Sequence, residues 1–122
     1  MTKELRALIK SEISTIVDNV FFVEAPQSQP YPYIVFELQL VQADYIKKKS
    51  YMLECNFWFD TTYADVEDVA DELDALFESY KYIDDKIEVC IYNGSIRQEV
   101  ADENKDLKRI RRTYEVYAYE RG

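Results

Sequence analysis

Between Tyr31 and Asp60 the chain carries two apolar runs, YPYIVFELQL and YMLECNFWFD, separated by a polar stretch. In the first, Ile34, Phe36, Leu38 and Leu40 alternate with Tyr33, Val35, Glu37 and Gln39. In the second, Leu53, Cys55, Phe57 and Phe59 alternate with Met52, Glu54, Asn56 and Trp58. A period of two with one apolar face predicts half-buried strands, and the pair reads as a β-hairpin with its tip near Ala43 to Ser50. The tip holds Lys47, Lys48 and Lys49, read first as a solvated turn whose charges discourage edge pairing and second as a binding patch.

The flanking segments follow other rhythms. From Thr2 to Asp18, Leu5, Leu8, Ile9, Ile13, Ile16 and Val17 recur at spacings of three and four, which predicts a helix with Thr2 as N-cap. Val20 to Val23 reads as a short strand, and Pro26 to Pro30 as a loop. After the hairpin, Val66, Val69, Ala70, Leu73, Leu76, Phe77 and Tyr80 make the apolar stripe of a second helix, with Thr62 and Asp65 as an acidic capping box.

Ile87, Val89 and Ile91 then alternate with Glu88, Cys90 and Tyr92, up to Asn93-Gly94, a tight-turn signal. Ser95 to Val100 continues as a strand, and Ala101 to Asp106 is expected to be a mobile polar loop. The last strand, Ile110 to Glu120, sets Arg112, Tyr114, Val116 and Ala118 on one face. The order α-β-β-β-α-β-β predicts an α+β fold: an antiparallel sheet of four to five strands with two helices packed on one face. Its 122 residues make one domain, large enough to bury a core without staples.

Charge divides this layout. Asp65, Glu67, Asp68, Asp71, Glu72, Asp74 and Glu78 give the outer face of the second helix seven acids and no base. The start of the last strand carries Lys105, Lys108, Arg109, Arg111 and Arg112. A solvated face is the usual meaning of such a run, yet like charges along one helix repel. Asp65, Asp68, Asp71, Glu72 and Asp74 are therefore candidates to meet Lys105, Lys108, Arg109, Arg111 and Arg112 of a neighbouring subunit. The net charge of −9 opposes non-specific binding to nucleic acid or anionic lipid. Neither a leader-type segment nor a long apolar run supports export or a membrane span.

Candidate chemistry is sparse. With no histidine, the commonest general base and the Ser-His and Cys-His nucleophile pairs drop out. Two cysteines cannot supply a zinc site, and Cys55 and Cys90 fall on opposite strand faces, which cannot be bridged. Two glycines leave no phosphate-cradling loop. No cofactor, metal or small-molecule substrate is expected, and the residues point away from an enzyme. The eleven tyrosines read first as strand and core residues, second as interface residues, and last as stacking platforms for nucleic acid.

A helix, a short strand, Ala25-Pro26 and then Tyr31-Pro32-Tyr33-Ile34-Val35-Phe36 form an opening that resembles the small tail-completion, or tail-terminator, proteins of long-tailed bacteriophages and prophages. Phe57-Trp58-Phe59-Asp60 before an amphipathic helix, and the closing Arg112-Thr113-Tyr114-Glu115-Val116, extend the resemblance over nearly the whole chain. It implies a non-enzymatic structural protein that forms a ring, usually a hexamer, of copies of itself. Such a ring caps the tail tube, stops its polymerisation and offers a surface to the head connector or head-completion protein, in the virion tail and, during assembly, in the host cytoplasm. Two other readings stay open: a neck or head-closure role, and an acidic inhibitor or antitoxin that presents its carboxylates to a basic partner.

Overall fold

The computed structural model describes residues 2–25, 32–43, 48–60, 66–101 and 107–121. Helix α1 spans Thr2–Ile13 and is followed by strands β1 (Val20–Phe22), β2 (Tyr33–Ala43) and β3 (Lys48–Asp60). Helix α2 (Val66–Phe77) leads into β4 (Tyr80–Ile83), β5 (Ile87–Ala101) and β6 (Leu107–Glu120). The expected sheet of four to five antiparallel strands under a helical layer is corrected. Among the described residues, six strands form one curled, mixed half-barrel in the order β1-β2-β3-β6-β5-β4, with β1 parallel to β2.

Three local features account for the difference. The run Val20–Phe22 is too short to reveal its direction, and it lies parallel to β2 at Ile34, Val35 and Phe36. Strand β4 was not foreseen, because no glycine or proline separates it from α2. The helix instead ends through Ser79 in the left-handed region, at φ 52°. Asn93-Gly94 is no tight turn: β5 runs on to Ala101 and shifts register between Asn93 and Arg97. A second shift lies in β2 between Leu40 and Gln42. Such irregularities bend strands and raise their twist, which curls the sheet.

The core lies on the inner face. Ile34 and Phe36 of β2, Leu53, Cys55, Phe57 and Phe59 of β3, Ile87, Val89 and Ile91 of β5, and Tyr114, Val116 and Ala118 of β6 are buried, the faces that alternation implies. Leu5, Ile9 and Ile13 of α1 and Val69, Ala70, Leu73 and Phe77 of α2 join the same cluster. The helices thus fill the half-barrel's interior. Phe77 packs edge-on against Tyr114 at 5.0 Å between ring centroids; truncating so fully buried a ring costs about 3–5 kcal/mol. Burial also pushes the Cys55 thiol far up, so it is an inert core residue. Cys90 is half-buried on the other face, and both cysteines are free.

Several expected features lie outside the described residues: the Pro26 to Pro30 loop, Lys47, the capping box of Thr62 and Asp65, and most of the Ala101 to Asp106 loop. The Thr2 hydroxyl shares a 3.0 Å hydrogen bond with the Tyr51 hydroxyl, tying the first turn of α1 to β3. Lys48 and Lys49 are strand residues rather than a free turn, opposite Tyr119 and Ala118. The Lys48 ammonium sits 5.4 Å and 5.7 Å from the ring centres of Tyr117 and Tyr119. Among the described residues, no helix is long and apolar enough to cross a membrane.

Candidate interaction surfaces

A guanidinium on the inner face of a sheet needs partners, because an unpaired buried charge is prohibitively costly. Arg112 occupies such a position on β6, between Cys55 of β3 and Arg97 of β5. Its Nε donates to Asp74 Oδ1 at 2.7 Å, and Nη1 donates to the carbonyls of Gly94 and Ile96 at 2.9 Å and Thr113 at 3.0 Å. The irregularity in β5 supplies two of those carbonyls, so the strand's departure from a regular ladder has a function in the core. The guanidinium also lies over the Tyr114 ring, 4.9 Å from its centre.

Gly94 is required by this arrangement. A Cβ there would stand 2.6 Å from Thr113 O, closer than backbone atoms tolerate. Asp74 is the hub of the network, one turn before Phe77 and at the seam between the buried stripe of α2 and its exposed face. It accepts from Tyr114 Oη at 2.9 Å, and from Arg97 Nη1 at 3.1 Å. Arg97 Nη1 also donates to Asp71 Oδ1 at 2.7 Å. These carboxylates hold Arg97 above the usual arginine range, and burial pushes the Tyr114 phenol far up.

On the outer face, cation and aromatic side chains line up across four strands. Phe21 of β1 meets Tyr33 of β2 edge-on at 6.3 Å, Tyr33 stacks with Trp58 of β3 at 6.3 Å, and the Arg109 guanidinium of β6 lies 4.8 Å from the Trp58 ring centre. Arg109 Nε is buried with no hydrogen-bond partner among the described residues. Beside this strip is a cleft of about 330 Å³ edged by Val23, Glu24, Glu37 and Asn56. Its rim is strained: Glu24 N–H donates to Phe22 O at 2.9 Å around Val23, whose φ is 72°, a γ-turn rarely adopted by a β-branched residue.

The charged residues singled out from the sequence separate into three groups, apart from those outside the described residues. Asp74 and Arg112 are partners within one chain, and Asp71 is held by Arg97. Arg111 pairs with Glu54 across β6 and β3, and Arg109 covers Trp58. Asp68 and Glu72 point to solvent from α2. Asp65 and Lys105 lie outside the described residues; Lys108 sits in β6 opposite Phe59 and Ala101, its side chain likewise outside. Arg97 and Glu54 were missed as charge partners, because single charges inside strand patterns carry no local signal of what they face.

No protein-family model matches the chain, and no curated protein does. A solved structure resembles it with a TM-score of 0.60 at 13% sequence identity, over 98% of this chain and 95% of that one. At that identity the likeness shows the fold alone.

Proposed function

We propose that this chain is a non-enzymatic structural protein of a long-tailed phage or prophage, a ring-forming cap that ends the tail tube and joins it to the head connector. The resemblance in its Tyr31-to-Phe36, Phe57-to-Asp60 and Arg112-to-Val116 segments supports the class. The observation that carries an assembly role is the outer-face strip of Tyr33, Trp58 and Arg109, since Trp, Tyr and Arg dominate binding energy at protein interfaces. The inhibitor reading has less to stand on, because Asp71 and Asp74 already have basic partners in the same chain.

The test is polymerisation of the cognate tail-tube protein with and without the chain. A terminator holds tubes at a finite length and is found at one tube end by electron microscopy. The variants Trp58→Ala and Arg109→Ala should each weaken capping by about tenfold or more, the effect of removing an interface anchor. Tubes that grow identically with and without the chain would refute the proposal. Capture of a basic nuclease in its place, with affinity collapsing as salt rises, would establish the inhibitor reading.

A further inference from the structure

Each outer strand of the sheet protects only part of its neighbour. Strand β1 pairs with β2 at Ile34, Val35 and Phe36, and from Glu37 to Ala43 no strand among the described residues lies on that side of β2. Strand β4 pairs with β5 from Glu88 to Ile91, and from Tyr92 to Ala101 that side of β5 is likewise uncovered among the described residues. The registers put the two bare segments at diagonally opposite corners. Tyr33 aligns through Trp58 and Arg109 with Val100, whereas Ala43 aligns through Lys49 and Ala118 with Val89.

The bare edge of β2 presents backbone groups that pair with no strand among the described residues. Ile34 N–H donates to Asn19 O at 2.9 Å, and Phe36 O accepts from Val23 N–H at 3.0 Å, so even-numbered residues direct their polar groups toward β1. By the two-residue period, Leu38 and Leu40 direct theirs to the same side, beyond the end of β1. Natural edges are usually blunted by lysine, proline or covering loops. Leu38–Ala43 reads LQLVQA, with no charge and no proline, and Leu40 and Val41 are 51% and 68% exposed.

We infer that this bare edge of β2 pairs with the bare edge of β5 in a second copy of the chain, Glu37–Leu40 against Arg97–Val100, so that the sheet continues from one subunit to the next. The inference deepens the ring reading given above and rests on it. Within the chain β2 runs parallel to β6 and β5 antiparallel to β6, so copies related by rotation about a common axis meet as an antiparallel pair. The regular part of each edge has similar length, Glu37 to Leu40 on one and Arg97 to Ala101 on the other, each ending at the register shift, Leu40/Gln42 and Asn93/Arg97 respectively. A symmetric β2-to-β2 dimer would leave the β5 edge bare on both copies. The diagonal placement instead staggers each copy along the strand direction, and a constant stagger with tilted strands is what closes a sheet into a barrel.

The pairing sets Gln39 opposite Gln98, both exposed on the outer face. In a Cys90→Ser background, Gln39→Cys and Gln98→Cys are made as separate full-length variants, mixed and mildly oxidised, free and with the cognate tube protein. A mixed disulfide exceeding either self-pair is expected, and the double variant should give a ladder of covalent oligomers. Leu40→Lys, a charge on the bare edge, should weaken association at least tenfold without unfolding the chain. Gln39→Cys self-dimers alone, or no cross-link above the Cys90→Ser background under both conditions, would overturn the inference. A chain that caps tubes without the mixed cross-link keeps the tail-cap reading and loses the edge pairing; a chain that cross-links but leaves tube growth unchanged does the reverse.

Discussion

Asp74 shows how one carboxylate can carry a core. It serves Arg112, Tyr114 and Arg97 at once, while Asp71, one turn earlier, meets only Arg97 among the described residues and keeps 64% of its side chain exposed. Removing one partner of a buried ion pair costs about 3–5 kcal/mol, and an exposed pair is worth about 0–1 kcal/mol. Arg112 would keep its three carbonyl contacts, so Asp74→Ala is expected to lower unfolding stability by about 2–4 kcal/mol. Asp71→Ala should cost under about 1 kcal/mol; urea denaturation distinguishes them, and equal losses would contradict the hub assignment. Gly94→Ala is expected to cost about 1–3 kcal/mol, because the Thr113 backbone has to move. If its Arg112 Nε–H resonance and its urea midpoint both match the parent's, the close approach has been misjudged.

Strand β4 and the turn after it hang on Asp84. Its Oδ1 accepts from Lys86 N–H at 2.7 Å and Ile87 N–H at 2.8 Å, and its Oδ2 from Tyr82 Oη at 2.9 Å. Those bonds, the Ile87 N–H first, hold the carboxyl below its ordinary value of 3.8. A lowered folded-state value means that the stabilisation is complete above about pH 3.8 and is lost as pH falls through the lower, folded value. Protection of the β4–β5 turn, taken as its hydrogen exchange relative to the intrinsic rate at each pH, should therefore fall below that pH in the parent and much less in Asp84→Asn. Parallel acid profiles for the two proteins would rule this out. The hairpin itself escaped sequence reading because YKYI is short and abuts a helix, although Asp84-Asp85-Lys86 is an ordinary turn composition.

For the whole molecule, the acids of α2 are no longer one surface. Asp74 is structural, so reversing it would damage the fold and say little about assembly. Asp68 and Glu72, both exposed, isolate the question. The double variant Asp68→Lys, Glu72→Lys should leave stability unchanged or raise it by about a few tenths of a kcal/mol, since it relieves repulsion along the helix. If that face meets a positive surface on another subunit, the same variant should slow tube capping several-fold at low salt and converge with the parent at high salt. Equal capping rates at both salt concentrations would make these two acids plain solvated residues.

The inward faces of β3, β5 and β6, the first half of that of β2 and the buried stripes of α1 and α2 were legible in the chain, because a side chain's direction repeats with the local backbone period; Leu40, expected on the same face of β2, is instead 51% exposed beyond the end of β1. Arg112 was legible as an inward position and Cys55 and Cys90 as opposite faces for the same reason. The parallel pairing of β1, the strand order, the curl and the meeting of Arg112 with Asp74 were not. Arg112 and Asp74 are 38 residues apart, and Arg112 also reads the carbonyls of a bulge that looks, in sequence, like a tight turn. Periodicity says which way a residue points; only the folded chain brings up what it points at, because those partners come from elements whose relative placement is set by packing the common core.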